Sequence, residues 1–252
     1  ANQDTTLAES YLKKYPIKSM GQSGELIAEK WGFTREELDD FAVKSHQKAF
    51  AAQEAGYYKN EIIGVETPSF GFVEKDEGIR ASIDREKMKT LPTPFKDGGV
   101  VTAANASQIT DGASAILLAS AKAVKEHGLK PRAKILKTHV CAVDPVMQLT
   151  GPIPAIKGVL AKTGLSIDDI DLFEINEAFA SVVMATQKEL KIPDEKVNVN
   201  GGAIALGHPL GCSGARILTT LVNELERRGL KRGLVTMCVG FGPGIATIIE
   251  LV

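Results

Sequence analysis

An excess of charge of either sign is missing from this 252-residue sequence: 30 Lys and Arg stand against 31 Asp and Glu, a formal net charge of -1. That balance lacks the basic footprint of a dedicated nucleic-acid binder. No run of about eighteen consecutive apolar residues occurs, so no helical membrane span is expected. The opening Ala1-Asn2-Gln3-Asp4 is polar and acidic and does not read as a signal or transit peptide. Cysteine is scarce: Cys141, Cys212 and Cys238 are too few and too scattered for a disulfide framework or a zinc site. A reducing, cytoplasmic setting and no metal are therefore expected. No Gly-Lys-Ser/Thr follows a glycine loop, which excludes a P-loop. The longest glycine loop lies late in the chain with no βαβ unit after it, a poor match to a dinucleotide fingerprint. What is plentiful is glycine, 24 residues, several of them clustered near the C-terminus. The length suffices for one large domain or two small ones with a real core.

The first half reads as helices and irregular segments. Residues 23–30 have helical spacing through Leu26, Ile27 and Trp31, and Gly32 stops the helix. Thr34-Arg35-Glu36-Glu37 is a capping box, and Leu38, Phe41, Ala42, Ala49 and Ala52 then mark one apolar face up to Gly56. Residues 57–94 read as loop-rich. From Lys96 strands and helices alternate, which implies an α/β layered domain. The strand candidates are 113–120, 134–140, 171–175, 234–238 and 245–251. The first of these, Ala-Ser-Ala-Ile-Leu-Leu-Ala-Ser, reads as a buried strand. Helices are expected over 120–127, 154–163, 176–191 and 213–228. Asp111-Gly112 before 113–120 echoes Gly242-Pro243-Gly244 before 245–251, a weak hint of duplication.

Polar and reactive groups fall at the ends of these elements. Asn176-Glu177-Ala178-Phe179-Ala180 follows a strand, where Asn serves either as an N-cap or as a functional group. Five glycines lie within residues 201–214, around His208-Pro209, and permit backbone conformations closed to other residues. A helix starting at Ser213 or Gly214 would aim N–H groups at that loop. Cys238 ends an apolar strand before Val239-Gly240-Phe241-Gly242-Pro243-Gly244 and reads as a core thiol or as an acid/base thiol. Thr102-Ala103-Ala104-Asn105-Ala106-Ser107 reads as a small polar turn. Cys, His and Asn together with backbone donors suggest acyl transfer.

These segments together resemble the thiolase family. Asn176-Glu177-Ala178-Phe179 matches its Asn-Glu-Ala-Phe motif, residues 201–216 match its Gly-Gly-Ala-Ile-Ala-x-Gly-His-Pro-x-Gly-x-Ser-Gly-Ala-Arg motif, and Cys238-Val239-Gly240 matches its Cys-x-Gly. Met20-Gly21, 35–43, 76–80, 102–112 and 151–155 match further. The resemblance implies a layered αβαβα fold, incomplete in this chain and confined to the C-terminal two-thirds. It divides the chain into a CoA-binding loop layer (1–96), the last strand-helix portion of the N-terminal half-domain (97–132) and the C-terminal half-domain (133–252). It implies Claisen chemistry on coenzyme A thioesters, with acyl-CoA as substrate and no covalently bound cofactor. Cys238 would move the proton. His208 and a water held by Asn176 would form one oxyanion hole, and the Gly240 N–H would help form the other. Ser107, Arg80 and Ala103 would contact coenzyme A, and Phe179 and Phe95 would wall the acyl pocket. Three positions depart from the pattern: Ser19, Gln148 where some members carry Met, and Phe241 where Gly is common after Cys-x-Gly. They favour a 3-ketoacyl chain longer than acetoacetyl.

The family's nucleophile motif, Cys-Gly-Ser-Gly or similar, is absent, and family chains run about half as long again. Cys141 reads as a packing residue and Cys212 sits at a variable position of the glycine motif. The expectation is a split thiolase: a partner chain supplies the nucleophile, making a hetero-oligomer on a thiolase-type dimer, and leaves 113–120 with an unpaired edge. The alternatives are a non-catalytic acyl-CoA-binding protein and a piece of a longer enzyme. A ketosynthase fits less well, because Asn176 occupies a position where those relatives carry His.

Overall fold

Caps decide where the first helices begin and end. The computed structural model describes residues 9–252, and the polar opening at 1–4 lies outside them. After the short helix α1 (Glu9–Lys14), Ser19 caps α2 (Met20–Trp31) in a reciprocal box with Gln22, and Gly32 closes it at φ 70°. The Thr34–Glu37 capping box opens α3 (Arg35–Glu54) as expected. A small hairpin follows, β1 (Val65–Thr67) against β2 (Gly71–Val73), then α4 (Arg85–Lys89). After α5 (Ala121–His127) come β3 (Ala133–Ala142), a kinked turn of helix over Pro145–Thr150, α6 (Pro152–Thr163) and β4 (Leu172–Ile175). The chain ends with α7 (Ala180–Leu190), α8 (Ala203–Leu206), α9 (Ser213–Arg228), β5 (Arg232–Cys238) and β6 (Pro243–Leu251).

The main sheet has the order β3-β6-β5-β4, antiparallel except for the parallel pair β5-β4. Helix α6 packs on one face and α9 on the other. Alternation along β5 serves both layers. Leu234 joins Ile156, Val159, Phe173 and Ile248 under α6, while Val235 joins Leu221, Leu225 and Ile249 under α9. Helices α2 and α3 bring Ile27, Ala28, Leu38 and Ala42 against α7 and α8, so the first half of the chain shares the core near the end of β5. The architecture is α/β and layered, as read from the alternation of elements. No helix among the described residues is long and apolar enough to cross a membrane.

One expected strand is absent, and one open reading is decided. Residues 113–120 form no strand: they run without regular structure, with Leu117 and Leu118 69–81% of the way to full exposure. An apolar run becomes a strand only against a hydrogen-bonding neighbour, and none of the described residues offers it one. The echo with 245–251 therefore has no structural counterpart, since that segment is the paired strand β6. Asn176 is not an N-cap either. Its N–H extends the β4 pattern to the Thr236 carbonyl at 3.0 Å, and the helix opens only at Ala180, behind Phe179.

Candidate active site

The polar cluster sits at the carboxyl ends of the parallel pair, where open α/β sheets gather ligands. Because Ile175 lies opposite Thr236 in the register, Asn176 leaves β4 beside the last residues of β5, Met237 and Cys238. Cys238 is buried against Ile27, Leu149, Ala178 and Val182. Burial pushes its thiol up to about 12, so at neutral pH it holds its proton.

His208 reaches the cluster from the glycine loop. Gly207 takes φ 89°, and an added Cβ there would lie 2.4 Å from the Thr110 hydroxyl, a conformation and a space that favour glycine. The His208 N–H donates to the Gln108 carbonyl at 2.9 Å, and the ring Nε2 lies 3.3 Å from the Asn176 Nδ2. The other ring nitrogen, Nδ1, lies 2.6 Å from the Ser213 hydroxyl, which also sits 2.9 Å from the Pro209 carbonyl. Ser213 has one proton to give. Donated to Pro209, it leaves Nδ1 protonated and Nε2 an acceptor. Donated to Nδ1, it makes Nε2–H a donor for a negative oxygen, a state in which the Asn176 amide NH2 must turn away because it too can only donate. Burial first, and the Arg216 charge second, hold the ring's proton affinity below the ordinary value, so the neutral imidazole is the working form. The Asn176 Oδ1 is buried with no partner among the described residues, an acceptor suited to one bound water. The N–H of Ser213 bonds the Pro209 carbonyl at 3.0 Å, so it is not the free anion donor the helix start suggested.

Gly240 follows Cys238 in a turn closed by the Gly242 N–H to the Val239 carbonyl at 3.2 Å. The Gly240 N–H has no acceptor among the described residues. Phe241 takes φ 71° in that turn, a left-handed conformation that costs a bulky residue roughly 1–2 kcal/mol.

The residues assigned to coenzyme A fall beside this cluster. Arg80 and Ala103 line a cavity of about 430 Å³ with His46, Lys87 and Gln108. Gln108 therefore touches both the cavity wall and the His208 backbone. The Ser107 N–H bonds the Ala178 carbonyl at 3.0 Å, and Ala106 bridges Phe179, which ties the 102–112 segment to the Asn-Glu-Ala-Phe loop. Phe95 and Phe179 meet edge to face at 6.4 Å. Gly21 packs under Phe95, where an added Cβ would lie 2.3 Å from the ring. His46, at the end of the Arg80 N–H at 3.2 Å, is driven down to about 4 by burial and then by the Arg80 charge, and so stays a neutral acceptor.

Several supporting residues escaped sequence reasoning. Glu177 is buried, and its carboxylate accepts the Ser45 hydroxyl at 2.6 Å, the Asn198 amide at 2.9 Å and the Ile204 N–H at 3.1 Å. Burial raises its proton affinity against those bonds. It lies inside a quoted motif, yet nothing in the motif shows what it holds. Of the remaining cysteines, Cys141 is half-buried with its sulfur 3.7 Å from the Gly151 carbonyl, and Cys212 is buried against Gly112. No group of three metal-ligating side chains occurs among the described residues.

Two family models match this chain: the thiolase N-terminal domain over residues 1–122 and the thiolase C-terminal domain over residues 129–251. The chain belongs to the thiolase family. The match to the N-terminal domain corrects the expectation that only the C-terminal two-thirds is present. A steroid 3-ketoacyl-CoA thiolase of Mycobacterium tuberculosis is 56% identical over 98% of this chain and 60% of its own length. A 3-ketoacyl-CoA thiolase of Marinobacter nauticus is 47% identical over 94% of this chain and 63% of its own. The chain thus spans about three fifths of the length of these relatives. Among solved structures, an acetyl-CoA acetyltransferase of Bacillus anthracis superposes with a TM-score of 0.90 at 42% identity, covering 99% of this chain and 66% of that one. The human mitochondrial 3-ketoacyl-CoA thiolase in complex with CoA superposes at 0.86 and 42% identity, covering 92% of this chain and 59% of that one. The fold is the thiolase fold.

Proposed function

We propose that this chain is the acid/base and oxyanion-binding part of an acetyl-CoA acyltransferase. It would catalyse thiolytic cleavage of a 3-ketoacyl-CoA to acetyl-CoA and a shortened acyl-CoA, or the reverse condensation, in fatty-acid β-oxidation. The observation that carries this reading is the meeting of Asn176 and His208 at 3.3 Å beside the end of the Cys238 strand. When a nucleophilic thiolate attacks the 3-keto carbon and the Cα–Cβ bond breaks, the electron pair becomes a thioester enolate. His208 and a water on Asn176 stabilise its oxygen, and fixed donors of this kind contribute roughly 3 kcal/mol each. Cys238 gives its proton to the enolate carbon and leaves acetyl-CoA. The resulting thiolate, a strong base in its buried site, takes the proton of incoming coenzyme A; the coenzyme A sulfur then bonds to the acyl carbon held as a thioester on the nucleophilic cysteine, whose sulfur leaves as thiolate, giving the shortened acyl-CoA. The Gly240 N–H stabilises the oxyanion of the acyl-transfer step. Arg80, Ser107 and Ala103 hold coenzyme A along the cavity, and Phe95 and Phe179 border the acyl group.

None of the three cysteines fits the role of nucleophile, so we assign that thiol to polypeptide outside these 252 residues, on a partner chain. Ile109, Leu117 and Leu118 are exposed and would offer apolar area for such a partner to bury. Its arrival would give the 113–120 segment a pairing partner in a hetero-oligomer built on a thiolase-type dimer. Three unpaired cysteines fit a reducing cytoplasm. The likeness to a steroid-acting relative favours a bulky or ring-containing acyl group. To test the assignment, the protein is purified with whatever polypeptide completes it and treated with 3-ketoacyl-CoA in the absence of free coenzyme A. Peptide mass mapping should then find the acyl group on a cysteine outside this sequence, on a second chain. Acylation of Cys141, Cys212 or Cys238, or of a cysteine in the same polypeptide, would overturn the split arrangement.

A further inference from the structure

Two of the departures from the family pattern, Gln148 and Phe241, touch each other. Gln148 is fully buried in the kinked Pro145–Thr150 turn. Its Oε1 accepts the Phe241 N–H at 2.7 Å. Its Nε2 donates to the Lys18 carbonyl at 2.9 Å and to the Ser23 hydroxyl at 3.0 Å, and Ser23 donates onward to the Val146 carbonyl at 3.2 Å. The amide is thus fixed from both ends, by α2 and by its own turn, and presents one oriented acceptor to the residue after Gly240.

The turn needs such a holder. Over Val239–Gly242 the third residue takes a positive φ, a place that glycine fills without strain and phenylalanine does not. If Phe241 relaxed to an ordinary negative φ, Gly242 would swing away and its bond to the Val239 carbonyl would break, freeing the Val239–Gly240 peptide that carries the Gly240 N–H to turn from its aim. We propose that Gln148 is a positioning residue: it clamps Phe241 left-handed and thereby keeps the Gly240 N–H directed at the oxyanion it serves. The proposal rests on the acyltransferase reading for the role of Gly240, while the clamp itself is a matter of backbone conformation.

The test is a double-mutant cycle with Gln148→Met and Phe241→Gly in the protein purified with the polypeptide that completes it. In the Phe241 background, Q148M should lower kcat about tenfold to hundredfold, less than outright loss of an oxyanion donor, with KM changed less than about twofold. In the F241G background, where the turn needs no clamp, adding Q148M should cost less than about threefold in kcat. Equal losses in the two backgrounds would overturn the clamp and leave the functional reading standing. Residue-resolved hydrogen exchange on the unmutated protein gives a second readout that needs neither turnover nor a folded variant. The Phe241 amide should exchange at least about tenfold more slowly than the free Gly240 amide. Equal exchange overturns the clamp even if Q148M fails to fold. An intact protein with a slow Phe241 amide but no thiolysis would sink the functional reading alone.

Discussion

Replacing Asn198 with alanine should destabilise the protein by about 3 kcal/mol and disable the site with it. Strand β4 is an edge strand, and its open side exposes the N–H and C=O of Ile175, the residue before Asn176. Asn198 covers both: its Oδ1 accepts the Ile175 N–H at 2.8 Å, and its Nδ2 donates to the Ile175 carbonyl at 2.8 Å and to Glu177 at 2.9 Å. It is buried and held at φ 44°, a conformation that Asn tolerates better than most residues. Truncation strands three buried groups. Each unsatisfied buried group costs about 1–3 kcal/mol, so the low end of the range sums to about 3 kcal/mol. Asn198→Asp should be at least as harmful, because a carboxylate cannot donate to Ile175 and repels Glu177. Urea unfolding, followed by far-UV circular dichroism, measures the loss as a lower midpoint at unchanged slope. A loss under about 1 kcal/mol for N198A would show that β4 does not depend on this side chain.

Three further outcomes follow from the same geometry. Ser213→Ala should leave the His208 Nδ1 without its partner and lower kcat about tenfold or more with little change in KM, measured by steady-state thiolysis. For His46, burial sets the folded value near 4 against an ordinary 6.5, so its contribution is complete above pH 6.5 and fades as pH falls toward 4. His46→Gln should remove a pH-dependent loss of about 2–3 kcal/mol over that window, read from urea midpoints at pH 7, 5.5 and 4.5. Alkylation of Cys238 by iodoacetamide should be slow at pH 7.5 and still rising at pH 10, because the thiol titrates near 12. A plateau below pH 9 would contradict the buried thiol.

Local signals in the sequence set most helix boundaries. The Thr34–Glu37 box, Ser120, and the glycines at 32, 128, 164 and 229 start or stop helices where cap chemistry dictates. The four strands of the main sheet are legible as strand candidates at 134–140, 171–175, 234–238 and 245–251, the last two as apolar, β-branched runs. The run at 113–120 looked the same, yet strand formation depends on a neighbour that no local pattern can supply. At the site, the glycine loop, His208, Asn176 and Cys238 could be picked out because their residue types are chemically pointed. The supports could not. Glu177, Asn198 and Ser45 are ordinary polar residues whose meaning lies in a buried hub joining three distant segments. Gln148 and Phe241 are 93 positions apart, and only the fold makes them a pair.

The central claim is that Asn176, His208 and Cys238 serve carbon–carbon bond cleavage rather than binding alone. Coenzyme A-dependent thiolysis of 3-ketoacyl-CoAs of several chain lengths, including ring-containing ones, tests it in the protein purified with any polypeptide that stays bound to it, beside the Asn176→Ala variant. The account predicts acetyl-CoA and a shortened acyl-CoA from at least one substrate. It predicts a loss of about a hundredfold in kcat for N176A, the scale expected when an oxyanion donor is removed. Tight acyl-CoA binding by that preparation without turnover, or an N176A variant as fast as the parent, would contradict it.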